Sequence, residues 1–205
     1  MDNTFTQAEL DIFSEIGSIG SGNAATAFSQ MIGKRVTITP VKTVVVPIEK
    51  VPEEVGGTET MVMAVYLRVM GDLTGDAVYL LPKDRAMQFI NVVSGRDINA
   101  RTEPLEDDVS AYKEMSNIFT GAYLNSISSM LDIMMIPSIP HYASDMLGSL
   151  IDFILSEVGQ QIDSVLLIKT EMIIDYKAMD GGYIMMFNPD SLDKMREMIQ
   201  KKYGI

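Results

Sequence analysis

The chain has 205 residues, 47% of them hydrophobic, and a formal net charge of −12. That length and apolar content suffice for one complete core, while the acidic balance leaves no basic stripe for nucleic acid or an anionic membrane surface. Zero cysteines and one histidine exclude disulfides, thiolate catalysis, cysteine-ligated zinc and a multi-histidine metal centre. The opening residues carry no positive segment followed by an apolar run, and no uncharged stretch approaches the roughly 20 residues of a membrane span. A cytoplasmic location is expected.

From Gln7 to about Ile32, Ile12, Phe13, Ile16, Ile19, Ala24, Ala27, Phe28 and Met31 recur at helical spacing, and Gly33 is a stop signal. A long helix is predicted there. Segments 35–48, 59–71 and 75–82 are rich in Val, Thr, Ile and Tyr and are divided by Gly56-Gly57, Gly71 and Gly75, which predicts three strands. Residues 83–94 read as a short helix.

The pattern then restarts. Glu103, Glu106, Asp107 and Asp108 precede a second long helix, about 106–132, where negative charge suits the positive end of the helix dipole better than it argues for a cation site. A short strand near 133–137, a helix 142–158, strands near 163–175 and 181–187 and a last helix from about Pro189 follow. His141, after Pro140, is expected as a turn or helix-start residue. The 17 methionines read as core filler, and Pro40 and Pro140 as turn-setting residues.

The second long helix carries the frame Ser110-x3-Glu114-x2-Asn117-x22-Pro140. An altered copy, Asp11-x3-Glu15-x2-Ser18-x21-Pro40, lies 99 residues upstream on the first. The offset also pairs Gly22 with Gly121, Thr26 with Asn125 and Ser29 with Ser128. These residues lie within about 40–60° of the glutamate, with Phe13, Ile16, Ala27 and Met31, or Met115, Phe119, Ala122 and Met130, on the opposing side. Two pseudo-repeat halves, about 7–100 and 106–205, within one domain spanning 1–205 are expected.

Residues three apart on a helix are neighbours, about 5–6 Å between Cβ atoms, so Glu114 and Asn117 can reach one small target. An amide donates and accepts without titrating, which suits holding a water in line for attack and not general-base work. Glu114 supplies an anion for a partner's cation. Gly121, like Gly22, either keeps the stripe clear for a partner or permits close helix contact.

The complete frame resembles the signature of the CheC, CheX and FliY family of chemotaxis phosphatases, and Glu15 to Ala27, EIGSIGSGNAATA, is similar to the first long helix of a CheC protein. The resemblance covers essentially the whole chain. It implies an α/β (α+β) fold in which strands of both halves form one continuous, mainly antiparallel sheet, with the two long helices side by side on one face. It also implies hydrolysis of the phosphoaspartate of the response regulator CheY: Glu114 would pair with a receiver lysine, Asn117 would orient the attacking water, and Ser110, Gly121 and Pro140 would support them. The protein would need no cofactor of its own, because the receiver brings Mg²⁺.

The first site departs from the pattern. Ser18 replaces the amide beside Asp11 and Glu15, the interval to Pro40 is one residue short, and Asn23 lies about 80° from Glu15 around the helix. The site is expected to be degenerate. A different function, binding of the receptor deamidase CheD with weak catalysis, is implied by the family for the helix at 142–158. There Leu147, Ile151, Ile154 and Val158 form a core stripe and Met146, Leu150 and Phe153 are candidates for the contact. A flagellar switch component like FliY would require a further C-terminal domain, and a dimeric CheX-like protein fits this length less well, so a monomer is expected.

Overall fold

Thr6 and Glu9 start the first helix by satisfying each other. The Thr6 hydroxyl accepts the Glu9 amide at 3.2 Å, and the Glu9 carboxylate accepts the Thr6 amide at 2.7 Å, which closes a capping box. Helix α1 (Gln7–Ile32) ends where Gly33 turns left-handed at φ 65°. The computed structural model describes residues 6–158, 164–174, 177–187 and 189–204.

Strand β1 (Val36–Pro47) leads through a single 3₁₀ turn, Ile48–Lys50, into the short helix α2 (Val51–Val55). Strands β2 (Met61–Gly71) and β3 (Gly75–Pro82) and helix α3 (Lys83–Val93) complete the first half. Helix α4 (Glu106–Leu131) opens the second. Strands β4 (Met135–Pro137) and β5 (His141–Met146), helix α5 (Leu147–Val158), strands β6 (Ser164–Ile174) and β7 (Lys177–Phe187) and helix α6 (Pro189–Tyr203) follow.

The strands form one seven-stranded sheet in the order β1-β6-β7-β3-β2-β4, with β5 also paired to β2, and every pairing is antiparallel. Exchanging β1 with β4, β2 with β6 and β3 with β7 maps the order onto itself. The expected single sheet with strands from both halves is therefore present, and both long helices lie on one of its faces.

Side-chain alternation along the strands divides the core. Met63, Val65, Leu67 and Val69 of β2 face α1 and α4, with α3 and α6 closing the same layer. Val62 and Ala64 face the other way and pack with Leu147, Ile151 and Ile154 of α5 and with Ile48 and Val51. Between the long helices and the sheet, the Phe119 ring sits 4.8 Å from Tyr79, 4.9 Å from Tyr123 and 5.3 Å from Tyr183, measured between centroids. Burial pushes the phenols of Tyr79, Tyr112, Tyr123 and Tyr183 well above their ordinary range, so this aromatic cluster stays neutral.

Several expectations change. Residues 142–146 are not the start of a helix: His141–Met146 pair with Tyr66–Met61 along the outer edge of β2, and Met146 is the last residue of that strand. Only three residues of β4 pair with β2, so the rest of that edge needs backbone partners, and this demand overrides the helix preference of Ala143 and Met146. His141 is accordingly a strand residue opposite Tyr66. Pro40 does not set a turn; it lies inside β1 at a break in register with β6. Proline is tolerated there because β1 is a sheet edge. Met31 is 42% exposed rather than core-facing. Strand β7 begins at Lys177 rather than near 181, and the turn and helix at 48–55 were not anticipated. Residues 163 and 175, the ends of one expected strand, and the side chain of Val158 lie outside the described residues.

The acidic run has structural partners. Asp108 is 2% exposed, accepts the Leu105 amide at 3.0 Å and ion-pairs with Arg96 and with Arg101, the latter at 3.2 Å. Burial works against its charge, yet the Leu105 amide and the two guanidinium groups hold the carboxyl below its ordinary value. Glu103 pairs with Lys83 at 2.7 Å.

Candidate functional site

The face of α4 turned away from the sheet is set by what the other face buries. Tyr112, Met115, Ser116, Phe119, Thr120 and Tyr123 are all buried, which leaves Ser110, Glu114 and Asn125 exposed and Asn117 and Gly121 half-buried along one stripe. On α1, burial of Phe13, Ile16, Gly20, Ala24 and Phe28 likewise leaves Asp11, Glu15, Ser18, Gly22 and Thr26 at the surface. Both long helices carry the polar stripe that the 99-residue offset predicts.

The two stripes differ in how their polar groups are engaged. The Ser18 hydroxyl donates to the Ser14 carbonyl of its own helix at 3.0 Å, and Asp11 accepts from the Gln7 amide at 2.9 Å. Ser14 and Thr26 make the same backward bond, each at 3.0 Å. Among the described residues, neither the Glu114 carboxylate nor the Asn117 carboxamide has a hydrogen-bond or ion-pair partner within the protein. A carboxamide with no internal partner keeps its donor and its acceptor for an incoming group. Ser18 keeps its lone pairs but has committed its proton.

The two open readings of the stripe glycines separate here. A Cβ built on Gly22 or on Gly121 meets nothing within 4 Å, so neither serves a helix contact. That role belongs to Gly20. There a Cβ would lie 2.8 Å from the Tyr123 ring, beside the point where the Ser21 and Tyr123 hydroxyls meet at 2.6 Å. Gly17 packs over β1 near Thr43 and Pro40, which places the proline of the first frame beneath the helix that carries Ser18. Pro140 sits in the connection between β4 and β5.

Met146, Leu150 and Phe153 do not share one element. Met146 ends β5 and is 44% exposed, whereas Phe153 of α5 is 61% exposed and Leu150 is half-buried. Leu150 and Phe153 belong to α5, on the sheet face opposite the long helices. Among the described residues, no group of three His, Asp or Glu side chains is placed to hold a metal ion, and no helix is long and apolar enough to cross a membrane.

A family model described as CheC-like matches residues 9–40, which cover most of α1 and the start of β1. The CheY-P phosphatase CheC of Bacillus subtilis (strain 168) is 28% identical over 173 residues, 83% of this chain and 82% of that protein. Among solved structures, Thermotoga maritima FliY superposes with a TM-score of 0.78 at 24% identity, over 97% of this chain and 99% of that one. The middle domain of FliM from H. pylori superposes at 0.67 and 11% identity, over 95% and 99% of the two chains. One fold thus carries proteins of very different sequence, and fold alone does not assign an activity. The chain is similar in sequence to a CheC protein and in fold to FliY and the FliM middle domain.

Proposed function

We propose that this chain is a chemotaxis phosphatase that hydrolyses the phosphoaspartate of a CheY-type receiver at the α4 stripe. The observation that carries this reading is a carboxylate and a carboxamide one turn apart, Glu114 and Asn117, exposed or half-exposed and without internal partners, beside a glycine with open space around it. Similarity to a protein named as a CheY-P phosphatase supports it.

Glu114 pairs with a lysine of the receiver and fixes the docking register. Asn117 enters the receiver's site and holds a water in line with the phosphorus. The water attacks, the bond between phosphorus and the aspartate oxygen breaks, and inorganic phosphate leaves the restored carboxylate. Phosphoryl transfer is chiefly a matter of positioning and charge, so an inserted amide can be a sufficient contribution from this partner. The receiver supplies the Mg²⁺ that neutralises developing charge. In the same reading the protein is a cytoplasmic monomer, one domain assembled from halves 7–100 and 106–205; the self-mapping strand order supports the last point.

The test is release of phosphate from a phosphorylated cognate receiver. Asn117→Ala is expected to lower turnover by about 10²-fold, the loss typical of one positioned hydrogen-bonding group. Glu114→Ala is expected to act mainly through KM, since it removes binding shared by ground and transition states. Unchanged turnover with Asn117→Ala overturns the assignment.

A second reading, binding of the deamidase CheD with weak catalysis, is favoured by the exposure of Phe153 at 61% on a helix whose opposite side is core. Calorimetry with CheD decides it. Binding that survives Phe153→Ala and Met146→Ala unchanged removes this surface as the site.

A further inference from the structure

Ile139 is 75% exposed, more than any other large apolar side chain among the described residues, yet its backbone is held on both sides. The Ser138 amide donates to the Arg68 carbonyl at 2.8 Å, and the Ser138 hydroxyl accepts the Arg68 amide at 2.9 Å and donates to the Ile139 carbonyl at 3.0 Å. Pro140 follows, with its own φ fixed and the residue before it restricted to extended backbone. Ser138 stands opposite Arg68 and His141 opposite Tyr66, so Ile139 and Pro140 share the place opposite Leu67 and bulge from the sheet edge between β4 and β5. A β-branched side chain on a held backbone loses little conformational freedom when a partner covers it.

The bulge lies at the level of Asn117. The rings of Tyr112 on α4 and Tyr142 on β5 meet at 6.5 Å between centroids. From there both elements lead to the same end of the sheet, since α4 runs on to Leu131 and the edge strand runs back to Met135. Asn117 is five residues along the helix, about 7.5 Å, and Ile139 is three residues along the strand, about 10 Å. The first half repeats the arrangement. Strand β1 breaks register between Pro40 and Lys42, 99 residues before Ile139 and His141, and a Cβ on Gly17, next to Ser18, would lie 4.0 Å from Pro40. Asn117 also leans toward the bulge. It is about 120° and 180° around the helix from Tyr123 and Ser126, which meet α1. The edge strand borders α4 on the flank away from α1, because α1 packs on β1 at one end of the strand order and α4 on β4 at the other.

We infer that Ile139 is a docking contact for the receiver, a role that rests on the phosphatase reading: it seats on an apolar patch beside the phosphorylation site while Asn117 enters that site. A protein docked over Asn117 covers about 800 Å², a disc about 16 Å in radius, and the bulge falls inside it. The α4 stripe offers polar groups and a glycine, Ser110, Glu114, Asn117, Gly121 and Asn125. Ile139 supplies the apolar burial that docking on those groups alone would lack.

Two measurements on the full chain test it: phosphate release from a phosphorylated receiver, and calorimetry with the receiver carrying beryllofluoride in place of the phosphoryl group. Ile139→Ala is expected to raise KM and Kd about tenfold with kcat within about twofold, the factor that partial burial of the three lost carbons is worth. Ile139→Val is expected to keep most of the affinity. Adding Ile139→Ala to Asn117→Ala, where turnover is largely lost and docking remains, is expected to weaken binding by the same factor. Ile136→Ala, on the same edge but on the face away from the long helices, is expected to change neither KM nor Kd. Turnover that falls with Asn117→Ala while Ile139→Ala leaves KM and Kd at wild-type values overturns the Ile139 contact and keeps the phosphatase reading. No turnover by the wild type overturns both. Self-association lost in Ile139→Ala with KM unchanged overturns the contact in favour of a second copy of the chain, and an equal effect of Ile136→Ala overturns its location.

Discussion

The ring of Tyr123 lies directly against the backbone of Gly20, so close that a methyl group there would stand 2.8 Å from Cδ1. This contact, with the Ser21 and Tyr123 hydroxyls at 2.6 Å beside it, sets how near α1 comes to α4. Gly20→Ala is expected to destabilise the protein by about 1–3 kcal/mol, because an aromatic ring in a packed core cannot yield cheaply. A urea melt measures it, and a midpoint equal to that of the wild type would show that the helices can separate without cost.

Gly121 should respond in the opposite sense. Its surroundings are open, and alanine is favoured over glycine inside a helix by about 0.8–1 kcal/mol. Gly121→Ala is therefore expected to raise stability while lowering the rate on a phosphorylated receiver, since the methyl projects into the docking stripe. Stability and activity rising together would argue that the receiver does not approach there.

Ser18→Asn tests the first site. The hydroxyl it removes is bonded only to the Ser14 carbonyl of an exposed helix face, so folding should change by less than about 0.5 kcal/mol. If α1 still docks the receiver through Glu15, turnover measured in an Asn117→Ala background should rise above that of Asn117→Ala alone.

Asp108 predicts a pH dependence. Its carboxyl is held below its unfolded value, so the stabilisation it gives is full above about pH 4, where the unfolded group is already ionised, and is lost as pH falls through the depressed value. Asp108→Asn should cost about 1–3 kcal/mol near neutral pH, by leaving Arg96 and Arg101 without their shared partner. Denaturation curves of variant and wild type should converge in acid. A gap that stays constant down to pH 2 would assign the effect to packing instead.

Both long helices were legible in the sequence to within a residue from their apolar spacing, the stop at Gly33 and the acids at the start of α4. The stripes followed from helical phase. What could not be read was the partner of a strand edge. Residues 141–146 are mostly exposed and have no alternating apolar pattern, so their state depends on β2 and not on their own preference. Gly20 was readable in principle: Ile16, Gly20, Ala24 and Phe28 form one buried row four residues apart. The engagement of Ser18 and the freedom of Asn117 depend on rotamers, which spacing does not determine.

The strand order has a consequence for how the protein is made. Among the described residues strand β1 has a single sheet neighbour, β6, and more than half of the chain separates the two. During synthesis β1 must wait until β6, in about the last fifth of the polypeptide, has emerged, and long-range closure of this kind slows folding. Truncation anywhere before β6 should therefore yield an aggregating fragment and not a smaller folded protein. The early break at Pro40, which interrupts a regular edge, then acts as protection for the nascent chain as much as a feature of the finished one.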